Sequence, residues 1–329
     1  MTLSISNYTA RQIGQLTTTQ VASVDVADFG TLSASQVQAF SAADLRALTT
    51  SQIQAMGSTQ LNALRPTQVA VLSSTQLNAI DASTLASVNP SLIAAINSQQ
   101  IGGLSTDRLD QLQVSQIQAL TTQQIIGLID LQLGAMTTEQ VQGLKSNQIR
   151  AIETRDLGLL DDSRIQAMTA SQIASFSVAQ LSALSTSQIA AIDSTDWANL
   201  DVTQMGTLSS SQVSAMTTDQ ISALSGRQVA SLSNSAISGM ATDQIHVLSG
   251  AQLRSLKSGQ IVAFTSDQVA QLDVTAFTEM SRAQISAFET RDIQGLQTAQ
   301  VAALTQAQIA AGAAPSSINL RQSKWRLWA

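Results

Sequence analysis

The chain has 329 residues, of which 44% are apolar but only 12% charged and 3% aromatic, with one His, no Cys and a formal net charge of -6. That apolar fraction is enough for a core, but ordinary soluble domains carry about a quarter charged residues, so the composition marks a repetitive protein rather than a typical globular one. Lack of Cys excludes a disulfide framework and thiolate metal sites, and the 16 dispersed Lys and Arg form no stripe of the kind nucleic acid requires.

In chain order, residues 1–7 read as a short N-terminal segment or cap. The opening MTLSISNYTARQIGQL has no basic stretch leading into an apolar run, so no conventional signal peptide is expected. No window approaches the roughly 18 apolar residues of a membrane-spanning helix, and membrane insertion is not expected.

From Tyr8 the sequence becomes an octapeptide array that reaches residue 311. Residues at multiples of eight, from Tyr8, Leu16 and Val24 to Leu296 and Leu304, are apolar in all 38 rows, and so is a second column five residues on, from Ile13 and Val21 to Ile309. The position after each row start is Ser, Thr, Asp or Asn in 28 of 38 rows, and the position before the second apolar column is Gln in 27 of 38. The last position of the row is mostly Ala or another small residue. The consensus is L-[ST]-x-x-Q-I-x-A, as in Leu184 to Ala191 (LSTSQIAA).

Ser or Thr followed three residues later by Gln spells a capping box, so every row carries its own helix start. One continuous helix is excluded, because eight residues at about 100 degrees each turn the apolar stripe by about 80 degrees per row and bury nothing coherent. The pattern predicts an all-α solenoid of short capped helices, one per octapeptide. The alternative is a β-solenoid, which fares worse: the two apolar columns differ by an odd number, placing them on opposite strand faces, and Ala and Gln are poor strand formers. A lone octapeptide buries too little to fold, so neighbouring rows must stabilise one another. Two octapeptides per turn, with turns spaced about 9 Å as packed helices are, would give an extended stack.

Irregularities come next along the chain. Gln is replaced at Asp156, Asp196, Ala236 and Ala276, five rows apart each time, and the rows VDVADFGT, LDVTQMGT and LDVTAFTE resemble one another. These patterns read either as a superhelical contact period of 40 residues or as the residue of duplication and drift. Asp161 and Asp162 start a row where Asp is a common cap, and His246 occupies a variable, solvent-facing position. Residues 312–329 leave the pattern: Gly312 and Pro315 form a hinge, and a tail carries Arg321, Lys324, Trp325, Arg326, Leu327 and Trp328.

No P-loop, GxSxG, HExxH, EF-hand loop or calcium nonapeptide is present, and no acid–base constellation points to catalysis. An enzyme, a cofactor and a bound metal are therefore not expected. Asn7-Tyr8-Thr9 fits a three-residue glycosylation sequon, and the Thr positions are too irregular for an ice-binding ladder. The Ser, Thr and Gln of the variable positions give a neutral hydrogen-bonding surface suited to lateral packing or to polysaccharide.

The L-[ST]-x-x-Q-[IVL]-x-A rows resemble the octapeptide arrays (LTxxQIxAL type) of large repetitive bacterial proteins, many of them surface or secreted, over residues 8 to about 311. The resemblance implies an exported structural role at the cell surface or outside the cell. The expected function is a structural protein polymerising end to end into a filament or sheath, its partners being further copies of itself and polysaccharide or a cell surface. Candidate self-assembly residues are Trp325, Trp328, Lys324, Arg326 and Leu327 in the tail and Leu3, Ile5 and Tyr8 at the start. The alternative is a monomeric adhesin stalk or a glycan- or protein-binding repeat module.

Overall fold

A computed structural model describes residues 2–312. They contain 36 α-helices and two 3-10 helices, each a single short turn or two, and no strand; one isolated parallel bridge joins Leu3 to Val24. The chain is a solenoid of short capped helices, and the β-solenoid is overturned because Gln and Ser/Thr at this spacing satisfy helix termini rather than strand ladders.

The octapeptide beginning at Leu72 shows how each row folds. Ser73 is the N-cap: its Oγ accepts from the Gln76 amide at 3.2 Å, and its own N–H donates to Gln76 Oε1 at 2.8 Å. Helix Ser74–Ala79 follows, and Ile80 stops it in an extended conformation, with φ -67° and ψ 130°. The row-start residue therefore ends one helix and re-aims the chain for the next. Where the cap residue has no hydroxyl, the Gln half of the box persists: Lys145 N donates to Gln148 Oε1 at 2.8 Å.

The chain divides into two compact units, Met1–Ala167 and Met168–Ala329. In the first, each helix packs on the third one along, as helix Thr50–Ala55 does on Ser74–Ala79 and Pro90–Ile93 on Val114–Ala119. The same rule holds inside the second, where Gly226–Val229 packs on Gly250–Ser255 and Ser266–Gln271 on Thr290–Gly295. In both units the row glutamines reach back to the fourth helix before their own, as Gln76 reaches Leu45 and Gln284 reaches Leu253. One turn thus takes more than three octapeptides and fewer than four, which corrects the two-per-turn coil: two helices of this length cannot close a ring around paired apolar columns.

Both columns form the core. Row-start residues from Val24 to Leu304 and second-column residues from Ile5 to Val301 are buried, while Tyr8, Leu16 and Ile309 are half-exposed. Burial of this apolar area, at about 25 cal/mol per Å², is the main stabilising contribution. The rows at Val24 and Leu272 each contribute to an aromatic pair at the same spacing: Phe29 stacks on Phe40 with centroids 6.0 Å apart, and Phe277 lies tilted on Phe288 at 5.9 Å.

Candidate functional site

The feature that recurs in both units is a buried glutamine ladder. Once a turn lies beneath it, the row Gln is enclosed; Gln52, Gln76 and Gln148 in the first unit and Gln220, Gln252 and Gln284 in the second are all buried. Each uses both ends of its amide. Gln76 Oε1 holds the Ser73 N–H, while its Nε2 donates to the Leu45 and Leu48 carbonyls, both at 2.8 Å. Gln284 repeats the arrangement with Ser281 N at 2.9 Å, Leu253 O at 2.7 Å and Leu256 O at 2.9 Å. One side chain starts its own helix and closes the C-terminal carbonyls of another, so two sets of orphan backbone groups are paired at once. Buried polar networks are stabilising only when complete.

Departures from Gln show that other side chains can take over either half of this work. Leu92 and Arg108 leave the cap amides of Asn89 and Ser105 without their usual oxygen. In each case an Asn from an earlier turn supplies it: Asn62 Oδ1 accepts from Asn89 N at 2.7 Å and Asn78 Oδ1 from Ser105 N at 2.8 Å. Their Nδ2 groups donate to the Ser87 and Gly103 carbonyls at 3.0 and 2.8 Å. Arg164 takes over the donor half, its Nε bonding the Met136 carbonyl 28 residues back. Sequence reasoning read Gln as a local cap and missed its long-range role; the available signal was an Asn placed 30 residues before Leu92 and before Arg108, two residues that replace Gln.

Five rows carry Asp instead. Asp28 accepts from Ile5 N at 2.6 Å, and Asp44 from Ser41 N at 2.9 Å. Burial pushes the carboxyls of Asp156, Asp196 and Asp292 above the usual range; the neighbouring Arg155 and Arg291 partly offset this for the first and last. Gln is also replaced at Thr84 and at the residues above, and the bonds between turns among the described residues run at separations of 20 to 31 residues. None of these bonds spans the 40 residues that separate the substituted rows.

The small column at the row end has a steric cause. A β-carbon at Gly127 would lie 2.6 Å from Ser98 Cβ, and one at Gly295 would lie 2.6 Å from the Ser266 carbonyl oxygen. Large residues there would force the turns apart.

Of the sequence-chosen residues, Ile5 is fully buried in the second apolar column. Leu3 pairs its backbone with Ser23 and Asp25, and the Tyr8 carbonyl accepts from Gln36 Nε2 at 2.7 Å. All three thus bond or pack within the chain's own first turns, with Ile5 in the core and Leu3 and Tyr8 half-exposed. Lys324, Trp325, Arg326, Leu327 and Trp328 lie outside the described residues. Asp161 is an N-cap accepting from Arg164 N at 3.0 Å, its carboxyl held low by the Ser163 hydroxyl and that amide. His246 is exposed, with Nδ1 3.1 Å from the Gln271 carbonyl. Among the described residues no cluster of His, Cys, Asp and Glu could hold a metal ion, and no helix is long and apolar enough to cross a membrane.

Comparison with family models finds the ALTTAQ repeat in four stretches, residues 25–58, 39–74, 189–226 and 237–274. The chain is a tandem-repeat protein, with matches in both units. No curated protein matches it.

Proposed function

We propose that the protein is a structural repeat protein that assembles end to end into an extracellular filament or sheath. The observation that supports this is the glutamine ladder, which joins turn to turn with the same donors and acceptors in both units. Gln12 and Gln20 are exposed, their Oε1 atoms hold the Thr9 and Thr17 caps at 2.8 and 2.9 Å, and among the described residues their Nε2 groups meet no carbonyl of an earlier turn. Every later turn offers carbonyls at the matching spacing, so a second copy can continue the ladder with the bonds each copy already makes internally. Negative-stain microscopy of the purified chain is expected to show long uniform fibres that shorten or vanish in a Gln12→Ala, Gln20→Ala double variant; short separate particles from the parent chain refute the reading. Removing residues 312–329 is expected to abolish fibres if the Trp325 and Trp328 tail locks neighbouring copies, and unchanged fibres remove the tail from the mechanism.

The second reading, a monomeric module that binds glycan or protein, is favoured by one feature of the first unit. A polar groove runs past Arg46, Ser73, Ser74, Asn97 and Gln99 where Ala70 leaves room between turns. Saturable binding of an oligosaccharide that is lost in Arg46→Ala, without fibres, would support it.

A further inference from the structure

The segment around Trp197 in the second unit departs from the repeat in four ways. It is a 3-10 helix, Asp196–Asn199, instead of an α-helix. Its cap residue Thr195 has helical backbone angles, φ -71° and ψ -24°, and makes no side-chain cap bond. Asp196 replaces the ladder Gln and is nine-tenths buried, yet unlike Asp44 its carboxylate takes no cap amide. Next to it, Trp197 is fully buried, and its indole Nε1 is the one buried side-chain nitrogen or oxygen among the described residues without a hydrogen-bond partner.

An ionised carboxylate only accepts, whereas Gln at this position both accepts and donates. A protonated carboxyl does both. We propose that Asp196 is an acid-closed joint: taking up a proton from solvent converts it from an acceptor-only group into a short counterpart of the ladder Gln, able to accept from its own turn and donate to a carbonyl of the turn beneath.

The surroundings favour the proton. The helices packed on this segment include Ala170–Ala174, which carries no charge, and Thr218–Ala223, which carries Asp219. Asp193 precedes it, Asp201 caps the next helix, and no Lys, Arg or His lies on any of these elements or on Thr186–Ala191 and Val202–Gly206. Helix Gly226–Val229, whose Gln228 Nε2 donates to the Trp197 and Leu200 carbonyls at 2.7 and 2.9 Å, carries Arg227, which is exposed. Burial first, and the Asp193 charge second, raise the Asp196 carboxyl above its ordinary value. A carboxyl raised in the folded state contributes stability that is complete in acid and is lost as pH rises through its folded pKa.

The test uses the full chain with Trp325→Phe and Trp328→Phe, so that fluorescence reports Trp197 alone. Denaturant unfolding followed by that emission between about pH 4 and pH 7 is compared with the same chain carrying Asp196→Asn or Asp196→Gln. The expected result is a folded-to-unfolded ratio that falls by about threefold or more towards neutral pH relative to either variant, with an emission shift over the same range that both variants abolish. A pH profile identical in parent and variants overturns the proposal. Should the variants fail to fold, the Asp196 carboxyl carbon of the unsubstituted side chain is titrated by NMR, and a midpoint at or below that of a free Asp overturns it equally.

Discussion

Two octapeptides of the first unit, those beginning at Leu72 and at Val88, bury the same pair of apolar columns yet join their turns differently. In the first, Gln76 bonds its own cap and two carbonyls of an earlier turn. In the second, the Leu92 side chain can make no hydrogen bond, and Asn62 satisfies the Asn89 cap from outside. Beside Leu92 lies a wholly apolar cavity of about 20 Å³, also lined by Leu61 and Leu64, whose carbonyls a Gln at 92 would have met. The difference teaches that an Asn from another turn can pair the cap amide in place of the row Gln, while the cross-turn donor can be given up where greasy surface replaces it.

The largest expected effect comes from breaking the complete joint. Gln148→Leu removes bonds to Lys145 N, Ile117 O and Leu120 O, all at 2.8 Å and all buried or partly so. It is expected to cost on the order of 3 kcal/mol in denaturant unfolding, because the backbone groups are left desolvated and unpaired. Next, Gly295→Ala in the second unit, pressing a methyl onto the Ser266 carbonyl, is expected to cost about 1–2 kcal/mol by overpacking, read as a lower thermal midpoint. Asn62→Ala is expected to cost about 0.5–1 kcal/mol by removing an exposed bond to the Asn89 amide. In a Leu92→Gln background that cost should shrink, since the new Gln takes the same amide; a double-mutant cycle measures the coupling. Equal costs in the two backgrounds would break the comparison.

The smallest effect concerns the acidic joints. Asp156 and Asp292 carry carboxyls raised by burial, so their share of stability is present in acid and lost as pH rises through their folded pKa. Asp292→Asn is therefore expected to flatten the pH dependence of unfolding while Glu153→Gln, at an exposed partner of Arg155, barely moves stability. Denaturation midpoints across the acidic range check both.

Much of the fold was legible in the residues. Unbroken phase from Tyr8 to Leu304 gave the core columns, and Ser73 or Thr121 three residues before Gln gave the helix starts, because capping is local chemistry. Turn size was not legible: the partners of Gln76 lie 28 and 31 residues away, and a local pattern carries no such distance. The joints built from Asn62 and Asn78 escaped for the same reason, as their contacts cross turns. Ile5, chosen as a contact for other copies, proved to be core, since its place in the second column is visible only once that column is extended back past the first full row.

Sequence alone determined the period, the short helices and the two apolar columns, for these follow from capping and side-chain polarity within eight residues. Tertiary structure alone decided how many octapeptides close a turn and which backbone carbonyls each buried amide meets. Those depend on how helices of this length pack around a shared core, and packing is settled by shape across turns rather than by the order of neighbours along the chain.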